Sequence, residues 1–174
     1  MDRRYDMRMT VDQYLDNISG KTAELFALSC TVGPLESGAS EKFARDCAQI
    51  GLNIGIAFQI IDDILDYSQP AQQIGKPVLE DVRQGVYSLP LLLALEHGYH
   101  QLAPLLEKKE QMTTDDTQEV YRLVQHFKGV QRAQQMATNY TTKALKAIAK
   151  LPDDPKDTRS ELDRLTRVIL QRTN

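Results

Sequence analysis

Apolar positions recur along most of this chain at three- and four-residue spacing, the period of an amphipathic helix. From Val11 to Thr31 that face runs through Leu15, Ile18, Thr22, Leu25, Phe26 and Ser29, and Gly33-Pro34 predicts its end. After a connection at Leu35 to Ala39, Ser40 and Glu41 supply an N-cap and an acidic first turn. The helix they open is expected to reach about Tyr67 and to bury Phe43, Cys47, Ile50, Ile54, Ala57, Phe58, Ile61 and Leu65. Gly51 and Gly55 interrupt good helix formers at about 1 kcal/mol each, so another helix is expected to pack closely there. The same pair would suit a membrane dimer, but Arg45, Gln49 and Asn53 on the same helix argue for a soluble core. Ser68 to Glu80 holds Pro70, Gly75 and Pro77 and cannot be continuous helix.

Five further helices are predicted at about 88–97, 101–109, 114–127, 130–150 and 157–171. Ser88 with Pro90 starts the first, Gly98 ends it, Thr113 to Asp116 cap the third, and Gly129 separates two more. An acidic first turn at Asp115-Asp116 complements the helix dipole and needs no metal. Pro152 to Pro155 form a turn, and the last helix buries Leu162, Leu165, Ile169 and Leu170 while Arg159, Arg164, Arg167 and Arg172 face water. The expected fold class is all-α, a helical bundle forming one domain over residues 1–174, with no internal repeat.

Composition narrows the function classes. The 174 residues are 41% hydrophobic and 26% charged, a globular balance. A net charge of −3 argues against nucleic acid as a partner, because phosphate backbones require a basic surface. Cys30 and Cys47 lie on apolar faces without metal-binding spacing, as reduced thiols do in a cytoplasmic protein. The apolar run Leu89 to Leu95, broken by Pro90, falls far short of the roughly 20 residues that span a bilayer, and Met1 to Thr10 does not read as a targeting segment. His97, His100 and His126 stand in no relation to a Ser or Cys that would make a catalytic triad.

The chemistry concentrates in Phe58-Gln59-Ile60-Ile61-Asp62-Asp63-Ile64-Leu65-Asp66-Tyr67. On a helix Asp62 and Asp66 share a face, Gln59 lies one turn earlier, and Asp63 stands beside them. Two readings are open: a helix turning acidic at its exposed end, or a face of oxygen ligands. Like charges at this spacing cost a helix about 0.2–0.5 kcal/mol per pair, and a hard cation would compensate them. Magnesium prefers one or two carboxylates together with waters and substrate phosphate oxygens. Lys21, on the border of an apolar face, reads from the residues alone as a snorkelling surface residue.

Together with Gly75-Lys76-Pro77 and Gly85-Val86-Tyr87-Ser88-Leu89-Pro90, the acidic run resembles the second aspartate-rich region of trans-type polyprenyl diphosphate synthases. Tyr14, Ile18, Lys21, Thr22, Ala23 and Leu25 match a further pattern of that family. The resemblance implies the helical bundle of the isoprenoid synthases, with Mg2+ as cofactor on Asp62, Asp63 and Asp66. Lys21, Gln59 and Lys76 would bind the allylic diphosphate, and Thr22 would face the carbon that becomes cationic. It implies a prenyltransferase that condenses isopentenyl diphosphate with an allylic diphosphate. The match is to the C-terminal half of the family's fold: the earlier aspartate-rich motif is absent from these 174 residues. A half-length chain inactive alone, needing the N-terminal half or a partner subunit in a homo- or hetero-oligomer, is therefore expected; the alternative is a non-catalytic regulatory or stabilising subunit of a full-length synthase. Two positions depart from the family pattern. Leu79 stands where many members have glycine, and Val86 where many have a second lysine, which points away from the short-chain enzymes. Asp81 is expected to brace the loop before it.

Overall fold

The computed structural model describes residues 4–67, 79–152 and 157–170. Its elements are α1 (Val11–Ile18), a π-helical turn (Ser19–Ala23), α2 (Glu24–Glu36), α3 (Glu41–Leu65), α4 (Glu80–Arg83), α5 (Leu89–Leu106), a 3-10 turn (Lys109–Gln111), α6 (Thr114–His126), α7 (Gly129–Ile148) and α8 (Thr158–Leu170). Among the described residues there is no strand. The chain divides into two compact units: one holds the residues before Leu15 and those from Asp62 to Gln134, the other Leu15 to Ile61 and the residues from Gln135 onward.

In the second unit α2 and the π turn before it pack on α3 through the two glycines. A Cβ on Gly51 would lie 2.4 Å from the Phe26 carbonyl oxygen, and one on Gly55 2.5 Å from Ala23 Cα. The Phe26 and Phe58 rings, 5.6 Å apart, continue this contact. Ile50 and Ile54 of α3 form a core with Ala144 and Ile148 of α7, closed at its edge by Phe26, Leu145 and Leu162. By length and composition α3 could cross a membrane, but 56% of its most apolar window is buried inside the protein.

In the first unit the apolar run opening α5, Leu89 to Leu95, is fully buried, and α5 packs on α6. Val120, Leu123 and Val124 of α6 are 0–2% exposed.

Three helix ends differ from the sequence pattern. The first helical run does not stop at Gly33-Pro34: it winds through the π turn and ends at Glu36, with Pro34 inside its last turn. Proline there gives up its own amide donor and crowds the Cys30 carbonyl one turn back, yet the helix continues two residues beyond it. The signal that terminates the helix is Gly38, at φ +75°, where Ala39 N–H donates to the Pro34 carbonyl and Gly38 N–H to that of Leu35. This is the paired closure that a left-handed glycine permits. Gly98 kinks α5 without ending it, at φ −114° and ψ 17°. The Phe127 ring takes the space a side chain would need there, since a Cβ on Gly98 would lie 2.3 Å from Phe127 Cδ2. Finally, α3 ends at Leu65, so Asp66 and Tyr67 lie in the turn beyond it.

Other expectations hold. Ser40 Oγ accepts Phe43 N–H at 3.3 Å, and Thr113 with Asp116 forms a reciprocal capping box on α6. Three residues of the expected buried faces are exposed: Leu25 at 64%, Leu165 at 42%, and Ser29. In α8 Thr166 and Leu170 take the buried positions. Of the expected loop, residues 68–78 lie outside the described residues, as do the turn at Asp153-Asp154 and Arg172, while Glu80, its last residue, already opens α4.

Candidate functional site

The aspartates at the end of α3 have three different surroundings. Asp62 is exposed. Asp63 is half-buried, and its Oδ2 accepts the Tyr14 hydroxyl at 2.6 Å and the Leu89 backbone N–H at 3.1 Å. Leu89 is the first residue of α5, whose own N-cap, Ser88, makes no side-chain capping bond. A carboxylate from α3 therefore satisfies one of the free amides of α5, where the helix dipole also favours a negative charge. Tyr14 is 5% exposed. Burial, and then the charge of Asp63, push its phenol far above the ordinary value, so it remains a donor.

Asp66 is exposed as a residue, but the protein beside its carboxyl displaces water. That desolvation, followed by the charges of Asp81, Asp63 and Asp62, raises its pKa to about 6. Each influence acts in one direction, against the charged form of Asp66. The turn carrying Asp66 is anchored at Tyr67, which is 1% exposed. Gln125 Nε2 donates to the Tyr67 carbonyl at 3.2 Å, and Ser88 Oγ to the Tyr67 hydroxyl at 3.4 Å.

In the second unit the π turn carries Lys21 and Thr22. π turns of this kind recur at functional sites. Thr22 Oγ1 donates to Gln59 Oε1 at 3.0 Å, joining two of the sequence-predicted site residues. Lys21 is exposed. Lys76 lies outside the described residues.

Among the described residues no group of three or more His, Cys, Asp or Glu side chains is arranged to hold a metal by itself. A cation sharing one or two carboxylates with water and phosphate oxygens needs no such cage. Asp62 and Asp66, both exposed and four residues apart at the end of α3, fit that kind of binding.

The model of the polyprenyl synthetase family matches residues 1–125. The chain belongs to that family. The geranylgeranyl pyrophosphate synthase structure from Lactobacillus brevis is similar over 98% of this chain and 52% of its own, with 46% identity and a TM-score of 0.91. A polyprenyl synthase from Caulobacter crescentus, solved with calcium and isoprenyl diphosphate, covers 99% of this chain and 53% of its own at 31% identity and a TM-score of 0.84. The decaprenyl-diphosphate synthase of Dictyostelium discoideum is 32% identical over 165 residues, 95% of this chain and 35% of the relative. The fold is thus that of the isoprenyl synthases, and the chain spans about half the length, or less, of the relatives it matches.

Within this polyprenyl synthetase frame, sequence reasoning missed the ties that hold the motif. Tyr14 was legible only as a member of the family pattern, and nothing in the sequence signals that a main-chain amide of α5 would take Asp63. Gln125 and Ser88, which hold Tyr67, carry no local signal either.

Proposed function

We propose that this chain carries the second aspartate-rich half of a prenyltransferase that joins isopentenyl diphosphate to an allylic diphosphate in isoprenoid biosynthesis. The observation that carries the reading is the placement of Asp62, Asp63 and Asp66 together at the end of α3, with Asp63 tied to Tyr14 and Leu89, in a chain of the polyprenyl synthetase family. In this reading Asp62 is the foremost ligand for Mg2+, followed by Asp66, with Asp63 in a supporting position. Bound there, the cation would supply Lewis-acid stabilisation of a departing diphosphate. In the same reading Lys21 and Lys76, the lysines of the family pattern, would offset the charge of that leaving group. Gln59 accepts from Thr22 and so orients the threonine hydroxyl, whose polar edge suits a carbon that gains positive charge when the allylic bond breaks.

Because these 174 residues span about half of the relatives' length, they are expected to give little or no turnover until the other aspartate-rich face is supplied. The test is transfer of radiolabelled isopentenyl diphosphate onto an allylic diphosphate by the purified 174-residue chain, with and without magnesium, repeated after adding the N-terminal half of a full-length relative. Magnesium-dependent product only in the mixture is the expected result. Robust product from the chain alone would overturn the half-enzyme reading. Failure of the mixture, together with stimulation of an intact synthase by this chain, would favour the regulatory subunit.

A further inference from the structure

Tyr14 has no part in the chemistry proposed above, yet it is almost wholly buried, at 5% exposure. Its hydroxyl donates at 2.6 Å to Asp63 Oδ2, the same oxygen that accepts the Leu89 amide at 3.1 Å. An oxygen gripped by donors from α1 and α5 has a fixed direction. Turning Asp63 toward an outside ligand would strand a buried hydroxyl and a helix-terminal amide at once. Asp63 is bonded in sequence to Asp62, and Asp66 follows three residues later in a turn whose Tyr67 carbonyl and hydroxyl are also held, by Gln125 and Ser88. The direction of the middle carboxylate therefore sets the last turn of α3.

We propose that Tyr14 is a positioning residue for the aspartate-rich motif: it holds Asp63 against the first amide of α5, so that the motif presents Asp62 and Asp66 outward. This rests on the motif being a divalent-cation face. It gives the conspicuous tyrosine at the start of the Tyr–Ile–Lys-Thr pattern a function distinct from that of the lysine and threonine. Tyr14 acts on α3 and α5 from within the protein and touches neither substrate nor metal.

The test uses the 174-residue chain with Mn2+ and inorganic diphosphate as probes, read by calorimetry, and amide hydrogen exchange at Leu89 as a second readout. Tyr14→Phe keeps the ring and removes only the hydroxyl. It is expected to speed exchange at Leu89 about tenfold, as loss of a charge-assisted tie would. It should also weaken Mn2+ binding by about tenfold, the usual effect of removing an outer-shell partner of a metal site. In an Asp63→Ala background the same change should have no further effect on Mn2+ affinity, because the bond it removes is already gone.

Three results would overturn the proposal: a Tyr14→Phe chain indistinguishable from wild type, faster exchange with unchanged affinity, or an effect undiminished in the Asp63→Ala background. The single variant decides the matter even where Asp63→Ala does not fold. Wild-type chain that fails to bind Mn2+ with diphosphate would overturn the cation-face reading, and this inference with it. Wild-type binding with an inert Tyr14→Phe overturns this inference alone.

Discussion

Asp116 shows how much one carboxylate can organise. It accepts from Lys108 Nζ at 2.6 Å and from both the amide and the hydroxyl of Thr113 at 2.9 Å, while Thr113 Oγ1 accepts the Asp116 amide at 3.2 Å. The Lys108 hydrogen bond, and then those from Thr113, hold its pKa at about 2, below the ordinary 3.8. The unfolded chain thus takes up the proton first, and the stabilisation is complete above the ordinary value and lost as pH falls toward 2. In urea unfolding, wild type should exceed Asp116→Asn at pH 7, with the gap closing between about pH 4 and pH 2. Thr113 to Asp116 was readable as a cap because both partners lie within one turn. Lys108, eight residues from Asp116, was not, since its arrival depends on the path of the 3-10 turn between them. Leu79 is the reverse case: the mismatch with a family glycine is visible in the sequence, but its meaning needs the backbone. Leu79 sits at φ +57°, a left-handed conformation costing about 1–2 kcal/mol for a residue with a β-carbon. At 6% exposure, burial of its side chain, about 2 kcal/mol, offsets that cost.

Among the elements, α2 shows what a glycine does when its surroundings differ. Gly51 of α3 faces the α2 backbone with no room for a methyl group, whereas Gly33 within α2 has nothing within 4 Å of a Cβ. Both substitutions by alanine gain about 1 kcal/mol of helix propensity. At Gly51 the overlap with Phe26 and Ala27 reverses the sign, for a net loss of about 1–3 kcal/mol. Gly33→Ala should raise the midpoint of thermal unfolding and Gly51→Ala should lower it, a contrast that circular dichroism can measure. The close approach at Gly51 and Gly55 was legible because two glycines at helical spacing have few other uses in an apolar helix. The end of α2 was not, because Gly33-Pro34 is the stronger local stop signal, and only the left-handed turn at Gly38 shows which glycine closes the helix. The π turn was also hidden: Ser19 to Ala23 keep an unbroken helical pattern in the sequence, and an added residue per turn leaves no mark in composition.

At the scale of the molecule, the family was legible from Tyr14 to Pro90, where motif and fold constrain the same residues, while the helices after Pro90 carried only their period. Leu25 and Leu165 were misplaced for one reason: periodicity finds an apolar face but does not say whether another element covers it. On α2 the uncovered positions form a row, Leu25, Leu28, Val32 and Leu35, exposed by 64, 58, 46 and 45%. Their spacing keeps them on one side of the helix, and such a stripe should make the purified chain self-associate. Sedimentation velocity should show a weight-average mass that rises with concentration, while Leu25→Lys with Leu28→Glu keeps the chain monodisperse at its own 19.7 kDa. The stripe also bears on colloidal behaviour. With a net charge of only −3 at pH 7 and a pI near 5.6, the chain has little repulsion to oppose contact between stripes, and mild acidification removes what there is. The charge of the whole chain sets where solubility is lowest and the stripe on one helix sets what then associates: neutral, low-salt buffer preserves the chain in solution, and lowering the pH toward 5.6 brings it out.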